Sequence, residues 1–250
     1  MCLITFAWQT HPTLILKLAA NRDEFHLRPS AALARWADVP TITAGRDLVG
    51  RGTFAGMASG GRFGAVTNVR EPQVSTPPNA PSRGDLVRDF LQSKADPLAF
   101  AEGVARDLYA GFNLLLGTRE QMVWLSNGSQ APPRVLEPGI YGLSNAGLNT
   151  PWPKVKTAIS AMQSACAGAD DEVLWAMLAD PQIAADQALP ATGVPLAWER
   201  QLSACFIHGP DYGTRASTLI DLAPDHFIIR ERSFGPMGAP RGEVVLREEG

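Results

Sequence analysis

Met1-Cys2-Leu3-Ile4-Thr5-Phe6-Ala7-Trp8 opens the chain, and Gln9-Thr10-His11-Pro12 separates it from a second apolar run over residues 13 to 20. Two β-rich segments joined by so short a break read as an antiparallel hairpin, with Pro12 excluding the tightest Asn-Gly type of turn. The second run closes on Asn21-Arg22-Asp23-Glu24, four strongly polar residues in succession. In a hairpin the end of the second strand returns beside the start of the first, so this cluster is expected next to Cys2.

That proximity gives the second residue its interest. Removal of the initiator Met, which a small Cys side chain permits, leaves a thiol beside a free α-amine. With reference pKa values of about 8.5 and roughly 7.7 to 8.0, one residue then supplies both nucleophile and base near neutral pH. The competing reading is a small apolar residue on a buried strand, because cysteine is among the most buried residue types. Arg22 is a candidate to hold the thiolate or a substrate carboxylate, and Asp23 to orient an α-ammonium group. Strand alternation sends Arg22 and Asp23 to opposite faces, so both reach the thiol only if the strand bends. The alternative is a solvated strand end with Arg-Asp pairing.

Asn68, Asn113 and Asn145 each sit in or beside a strand-like run, where asparagine is normally depleted. Each either caps a turn or donates N–H groups to an oxyanion near Cys2. Arg215 begins a late strand-like segment and raises the same question, since a buried guanidinium must find an anion or another acceptor.

Composition narrows the class. The 250 residues are 45% hydrophobic and 19% charged, enough for a full core in one domain covering 1–250. The formal net charge of -3 and the lack of a Lys/Arg cluster argue against a nucleic-acid footprint or an anionic-membrane patch, leaving a small molecule as the expected partner. The three cysteines, Cys2, Cys166 and Cys205, show no C-x-x-C pair, which suggests neither a disulfide framework nor a zinc knuckle. No signal peptide or membrane span is read, so a cytoplasmic location is expected. The glycines of Gly50-Arg51-Gly52 have the wrong spacing for a dinucleotide fingerprint, and the four histidines show no H-x-x-x-H pair. No cofactor or metal is expected.

Further strands are predicted at 53 to 58, 63 to 69, 112 to 117 and 122 to 126, and a Pro-rich loop at Pro72 to Pro81 is expected at the surface over a cleft. Helical spacing predicts a helix from Arg83 carrying Leu86, Val87, Phe90 and Leu91. A second, capped by Asp96-Pro97, carries Leu98, Ala101, Val104 and Leu108. Helices at 152 to 166 and 170 to 179, then strands at 204 to 208, 214 to 221 and 226 to 232, complete an α+β layered arrangement.

Met1-Cys2, Ala20-Asn21-Arg22-Asp23-Glu24-Phe25, Arg28-Pro29, Ala44-Gly45-Arg46-Asp47, Val66-Thr67-Asn68, Ser82-Arg83-Gly84, Gly111-Phe112-Asn113-Leu114, Tyr141-Gly142-Leu143-Ser144-Asn145, Pro151-Trp152-Pro153-Lys154 and Tyr212-Gly213-Thr214-Arg215 run through most of the chain in order. On these residues the sequence resembles the NRDE family, also called the transport and Golgi organisation family. Phe54 departs from the tryptophan expected in that family. The resemblance implies a four-layer αββα sandwich, mainly antiparallel, similar to N-terminal-nucleophile hydrolases and especially to the bile-acid and penicillin amidase group. By that likeness Cys2 attacks an amide, Arg22 and Asp23 order the terminus, Asn145 serves the oxyanion hole and Arg215 supports the cysteine. Asn21, Glu24, Asn68 and Asn113 complete the set as substrate-binding candidates.

Two functions follow from the resemblance. One is an amidohydrolase acting on a non-peptide C–N bond. The other is a binding or carrier protein on a hydrolase-like scaffold, holding haem or an acyl-CoA, with Arg22 or Arg215 meeting carboxylate or phosphate. An interaction module without a small ligand fits less well, because polar residues clustered at strand ends suggest a cleft.

Overall fold

A computed structural model describes residues 2–70, 76–129, 131–168 and 170–249. In chain order the elements are strands β1 (Cys2–Trp8), β2 (Leu16–Phe25), β3 (Ser30–Arg35), β4 (Ile42–Asp47), β5 (Ala55–Ala58) and β6 (Arg62–Asn68), then helices α1 (Arg83–Gln92) and α2 (Pro97–Glu102). There follow β7 (Phe112–Gly117), β8 (Met122–Ser126), β9 (Arg134–Val135) and β10 (Gly139–Leu143), then α3 (Pro153–Cys166), α4 (Glu172–Leu178) and α5 (Leu196–Leu202). Strands β11 (Tyr212–Leu222), β12 (His226–Phe234) and β13 (Pro240–Glu249) end the chain.

These strands form two antiparallel sheets, ordered β10-β1-β2-β11-β12-β13 and β3-β4-β5-β6-β7-β8-β9. Alternation along β1 shows why its sequence is continuously apolar. Ile4, Phe6 and Trp8 enter the core between the sheets, whereas Leu3 and Ala7 pack beneath α3 and α4. A strand covered on both faces has no solvent side to carry polar residues. Helix α1 covers the far face of the second sheet, where Val87 and Phe90 join Leu114 and Leu116. The result is the expected αββα sandwich.

Close helix-to-sheet approach needs a bare backbone at one point. A Cβ on Gly142 of β10 would lie 2.6 Å from Val155 Cγ1 on α3. Helix starts follow their signals too. Pro153 occupies the first turn of α3, and Asp96 accepts hydrogen bonds from the N–H groups of Leu98 (2.9 Å) and Ala99 (3.3 Å) at α2.

Four expectations are corrected. Strand β2 starts at Leu16 and runs on to Phe25, so Asn21 to Glu24 lie within it, paired to β1 or β11, and not at a frayed end. Helix α2 stops at Glu102, with Gly103 as its cap; Val104 lies beyond it and Leu108 falls in a separate 3-10 turn. Residues 204 to 208 are not a strand. Ile207 instead pairs with Thr214, whose N–H donates to the Ile207 carbonyl while its hydroxyl accepts from the Ile207 N–H, which folds the segment back onto β11. Strands β3, β4, β9, β10 and β13 and helix α5 are absent from the sequence reading: Ser30–Arg35 is alanine-rich and lies between Pro29 and Pro40, while Pro240–Glu249 is an exposed, charged edge. Of the Pro72 to Pro81 loop, residues 72–75 lie outside the described residues.

Candidate active site

The hairpin places Cys2 as the direct Cα partner of Arg22, and Arg22 is in turn partnered with Ala216 of β11. Cys2 and Arg22 share the inter-sheet face with Ile4 and Ala20, two residues along. Both line a cavity of about 470 Å³ with Glu24, Arg28, Asn68 and Arg83. Thr76, Ala80 and Pro81, three of the described residues of the Pro-rich loop, lie along the same cavity. Cys2 is 7% exposed. Burial pushes its pKa up and the charge of the Asp23 carboxylate adds to that, while the amino-terminal charge, the N–H of Asp23 and the charge of Arg22 oppose it.

The nitrogen of Cys2 is held as firmly as its strand. Its N–H donates to Asn145 Oδ1 at 3.2 Å, while Asn145 Nδ2 donates to the Asn68 carbonyl at 2.8 Å. Ser144 Oγ donates to the Cys2 carbonyl at 2.8 Å. The turn after β10 that presents Ser144 and Asn145 is itself tied down. Thr67 Oγ1 donates to the Ser144 carbonyl (2.6 Å), Asn113 Nδ2 to that of Ala146 (2.9 Å), and the Arg70 N–H to that of Asn145 (2.7 Å). Asn145 is fully buried and does not line the cavity; it is placed behind Cys2, on the nitrogen.

Asp23 reaches the thiol through its backbone, which settles the alternation problem without a bend in β2. Its carboxylate is on the helix side, 4% exposed, and Oδ1 accepts from Thr214 Oγ1 at 2.7 Å. Burial pushes this carboxyl up, while the chain's amino-terminal charge and the Lys154 ammonium pull it back down. The register irregularity lies on β11, between Thr214 and Ala216, and it turns Arg215 out of the ladder. Arg215 then braces the turn after β2: Nη1 donates to the carbonyls of Phe25 (2.9 Å) and Arg28 (3.0 Å), and Nη2 to Ser30 Oγ (3.1 Å).

The remaining candidates separate into two groups. Glu24 and Asn68 line the cavity. Glu24 lies 3.8 Å from Arg22, and Asn68 Oδ1 is bonded to Arg83 Nη1, which leaves its N–H2 as the group it offers a ligand. Asn21 and Asn113 do not line it. Asn21 Nδ2 donates to the carbonyls of Leu178 (2.7 Å) and Cys205 (2.8 Å), and its Oδ1 accepts from Ser217 (2.6 Å), so it fastens the helix layer to the sheet. Asn113 holds the turn bearing Asn145. Arg28, Asp47, Arg83 and Lys154 were not among the candidate residues. All four stand in the quoted motifs, but nothing in their spacing separates a cavity arginine from a surface one.

A second cavity of about 400 Å³ opens between the sheets and shares Arg22, Asp47, Thr53 and Phe54 with the first. Arg215 lines this one. Among the described residues, no group of three or more His, Cys, Asp or Glu is disposed to hold a metal ion, and no helix is long and apolar enough to cross a membrane.

The sequence pattern of the family described as Transport and Golgi organisation 2 matches residues 1–234. The Transport and Golgi organization protein 2 homolog of Bos taurus is 34% identical, over 99% of this chain and 98% of its own length. The Homo sapiens homolog is 35% identical over 94% and 93%, and the Drosophila melanogaster Transport and Golgi organization protein 2 is 32% identical over 71% and 70%. Among solved structures, the Caenorhabditis elegans N-acylethanolamine-hydrolyzing acid amidase ortholog is similar with a TM-score of 0.50 and 11% identity, over 88% of this chain and 92% of that one. At that identity the likeness is one of fold, the N-terminal-nucleophile hydrolase type.

Proposed function

We propose that this chain, which belongs to the Transport and Golgi organisation 2 family, is an N-terminal cysteine amidohydrolase acting on a non-peptide C–N bond. One observation carries the reading: Cys2 lines a polar cavity with its nitrogen anchored on Asn145 Oδ1 and its sulfur beside the Asp23 N–H.

In this mechanism Met1 is removed and the Cys2 amine takes the thiol proton as Sγ bonds to the carbonyl carbon. The oxyanion receives the Asn68 amide N–H, because Asn145 is occupied with the Cys2 nitrogen and the Asn68 carbonyl. Collapse breaks the C–N bond, and the α-ammonium returns its proton to the leaving amine. Water then hydrolyses the thioester, releasing the acid and restoring the thiol. Arg22 faces the thiol across the hairpin, and Arg215 acts one step removed, by fixing the turn that follows β2.

Intact-protein mass spectra, before and after brief exposure to a chloromethyl ketone, test this. Loss of Met1 with one adduct at Cys2 supports the nucleophile, and an amide screen starting from N-acylethanolamines, which the structural neighbour hydrolyses, comes next. Retained Met1 and an inert Cys2 favour the carrier reading. The observation behind that reading is the grouping of Arg22, Arg28 and Arg83 around one cavity, suited to a carboxylate of haem or a phosphate of acyl-CoA. Titration with each ligand decides it.

A further inference from the structure

The second cavity lies along a row of residues that begins at the nucleophile. Cys2, Arg22, Ala216, Ser233 and Gly242 are successive Cα partners across β1, β2, β11, β12 and β13. All but Cys2 line the second cavity, so it runs across the strands from Arg22 to the β13 edge, about 14 Å at the usual strand spacing. Small residues account for the open space. Ala31, Gly45 and Ala55 on one sheet face Ala216 on the other, with Phe54 and Val244 completing apolar walls.

Most of the charges on this cavity are committed elsewhere. Arg46 is bound through both terminal nitrogens to Asp38 (2.6 and 2.8 Å), Asp47 to Arg28 (2.7 Å), Glu243 to Arg232 (3.2 Å), and Arg215 to backbone carbonyls. Three groups remain. Arg22 stands at the neck, no closer than 3.8 Å to the carboxylates of Glu24 and Asp47. Glu231, 6% exposed, has Oε1 fixed by the Leu33 N–H at 2.8 Å and sits against Gly45, where a Cβ would lie 3.1 Å from its Oε2. Arg241, exposed and without a carboxylate partner among the described residues, lies over Gly235, where a Cβ would be 2.7 Å from its Nε. The far end of the chamber therefore carries a guanidinium with no carboxylate partner among the described residues.

We infer that the chamber is the second arm of the substrate site, and that the substrate is an amide whose scissile bond lies at Cys2 and whose extended apolar arm ends in an anionic group at Arg241. This rests on the nucleophile reading above. An arm of that kind replaces water along Phe54, Ala55 and Val244 and places its carboxylate or phosphate against a guanidinium that no carboxylate among the described residues neutralises.

Straight-chain alkyl chloromethyl ketones of increasing length, with and without a terminal carboxylate, test it; Cys2 Sγ bonds to the methylene carbon as chloride leaves. Each labelling rate is divided by that of iodoacetamide with the same variant. The ratio is expected to rise by up to about fourfold per added methylene until the arm spans the chamber. A terminal carboxylate at that length adds about tenfold, which Arg241→Gln abolishes. Ala31→Phe, which fills the chamber, should flatten the length dependence. A ratio independent of length in the unsubstituted chain, or a carboxylate effect that survives Arg241→Gln, overturns the assignment while leaving the nucleophile intact. Should no reagent label Cys2, the nucleophile fails separately, and calorimetry with 8-amino-8-oxooctanoate against octanamide tests the chamber alone. Tighter binding of the carboxylate, lost in Arg241→Gln, supports the chamber; equal or absent binding of the two overturns it.

Discussion

The Cys2 N–H and Asn145 Oδ1 lie 3.2 Å apart although 143 residues separate them in the chain. Both groups are buried, so each partner satisfies the other where water does not reach. Asn145→Ala removes the acceptor and also the donor to the Asn68 carbonyl, and is expected to cost about 1 to 3 kcal/mol. Asn145→Asp keeps the acceptor. Urea denaturation should rank the unsubstituted chain above Asn145→Asp and that above Asn145→Ala, with the Cys2 labelling rate falling in the same order.

The neighbourhood of Cys2 and Arg22 was legible because a hairpin's geometry is local: a short break between two apolar runs fixes which ends meet. The roles of the polar residues were not. Asn21 and Asn145 look alike in sequence, each a polar residue where a strand-like run should be apolar. One is spent on the carbonyls of Leu178 and Cys205, behind the sheet, and the other on the Cys2 nitrogen. Which face of a strand an amide serves depends on what the rest of the chain packs there. Arg83 marks a helix start in the sequence for the same reason, since its proximity to Asn68 exists only once α1 docks on the second sheet. Strand β13 escaped notice because an exposed edge needs no apolar face.

Gly142 provides a test of layer spacing. A methyl group there meets Val155 Cγ1 at 2.6 Å and Ile159 Cγ1 at 2.9 Å, both on the face of α3 that seals the sheet. Gly142→Ala is expected to cost about 1 to 3 kcal/mol by pushing the helix outward. Combining it with Val155→Ala, which removes the clashing methyls, should recover part of the loss in thermal denaturation. Additive losses in the pair would count against a steric origin.

Cys205 predicts how stability responds to alkali. Burial raises its thiol from an ordinary 9.0 to about 12. A thiol whose folded pKa lies above its unfolded value favours the folded state at neutral pH. That contribution is complete below the unfolded value. Between pH 9.0 and about 12 the unfolded chain sheds the proton while the folded chain keeps it, so stability falls as pH rises. The loss is about 1.4 kcal/mol per pH unit within the window. Cys205→Ala removes this one dependence, and urea midpoints at pH 8 and pH 10.5 should converge in that variant relative to the unsubstituted chain.

Lys154 is 3% exposed on the first turn of α3, and burial lowers its pKa while the charge of Asp23 raises it. The two charges lie beneath Cys2 on the helix side of the sheet, each helping the other to stay ionised out of water. Lys154→Met therefore leaves the Asp23 carboxylate buried without that cation, at an expected cost of about 3 to 5 kcal/mol. Asp23→Asn alone leaves the ammonium in the corresponding position. If the two charges act on each other, the double variant is more stable than the sum of the single losses allows, and a double-mutant cycle measures the difference directly. The pH dependence gives the sign independently. Burial, the leading influence, raises the Asp23 carboxyl, so its proton is held more tightly folded than unfolded, and ionising it costs stability as pH rises from the ordinary carboxylate value through the raised folded one. Removing the Lys154 charge raises that carboxyl further. The stability of Lys154→Met should then decline with rising pH to higher pH than it does in the unsubstituted chain, and an identical pH profile for the two would place Lys154 outside the electrostatics of Asp23.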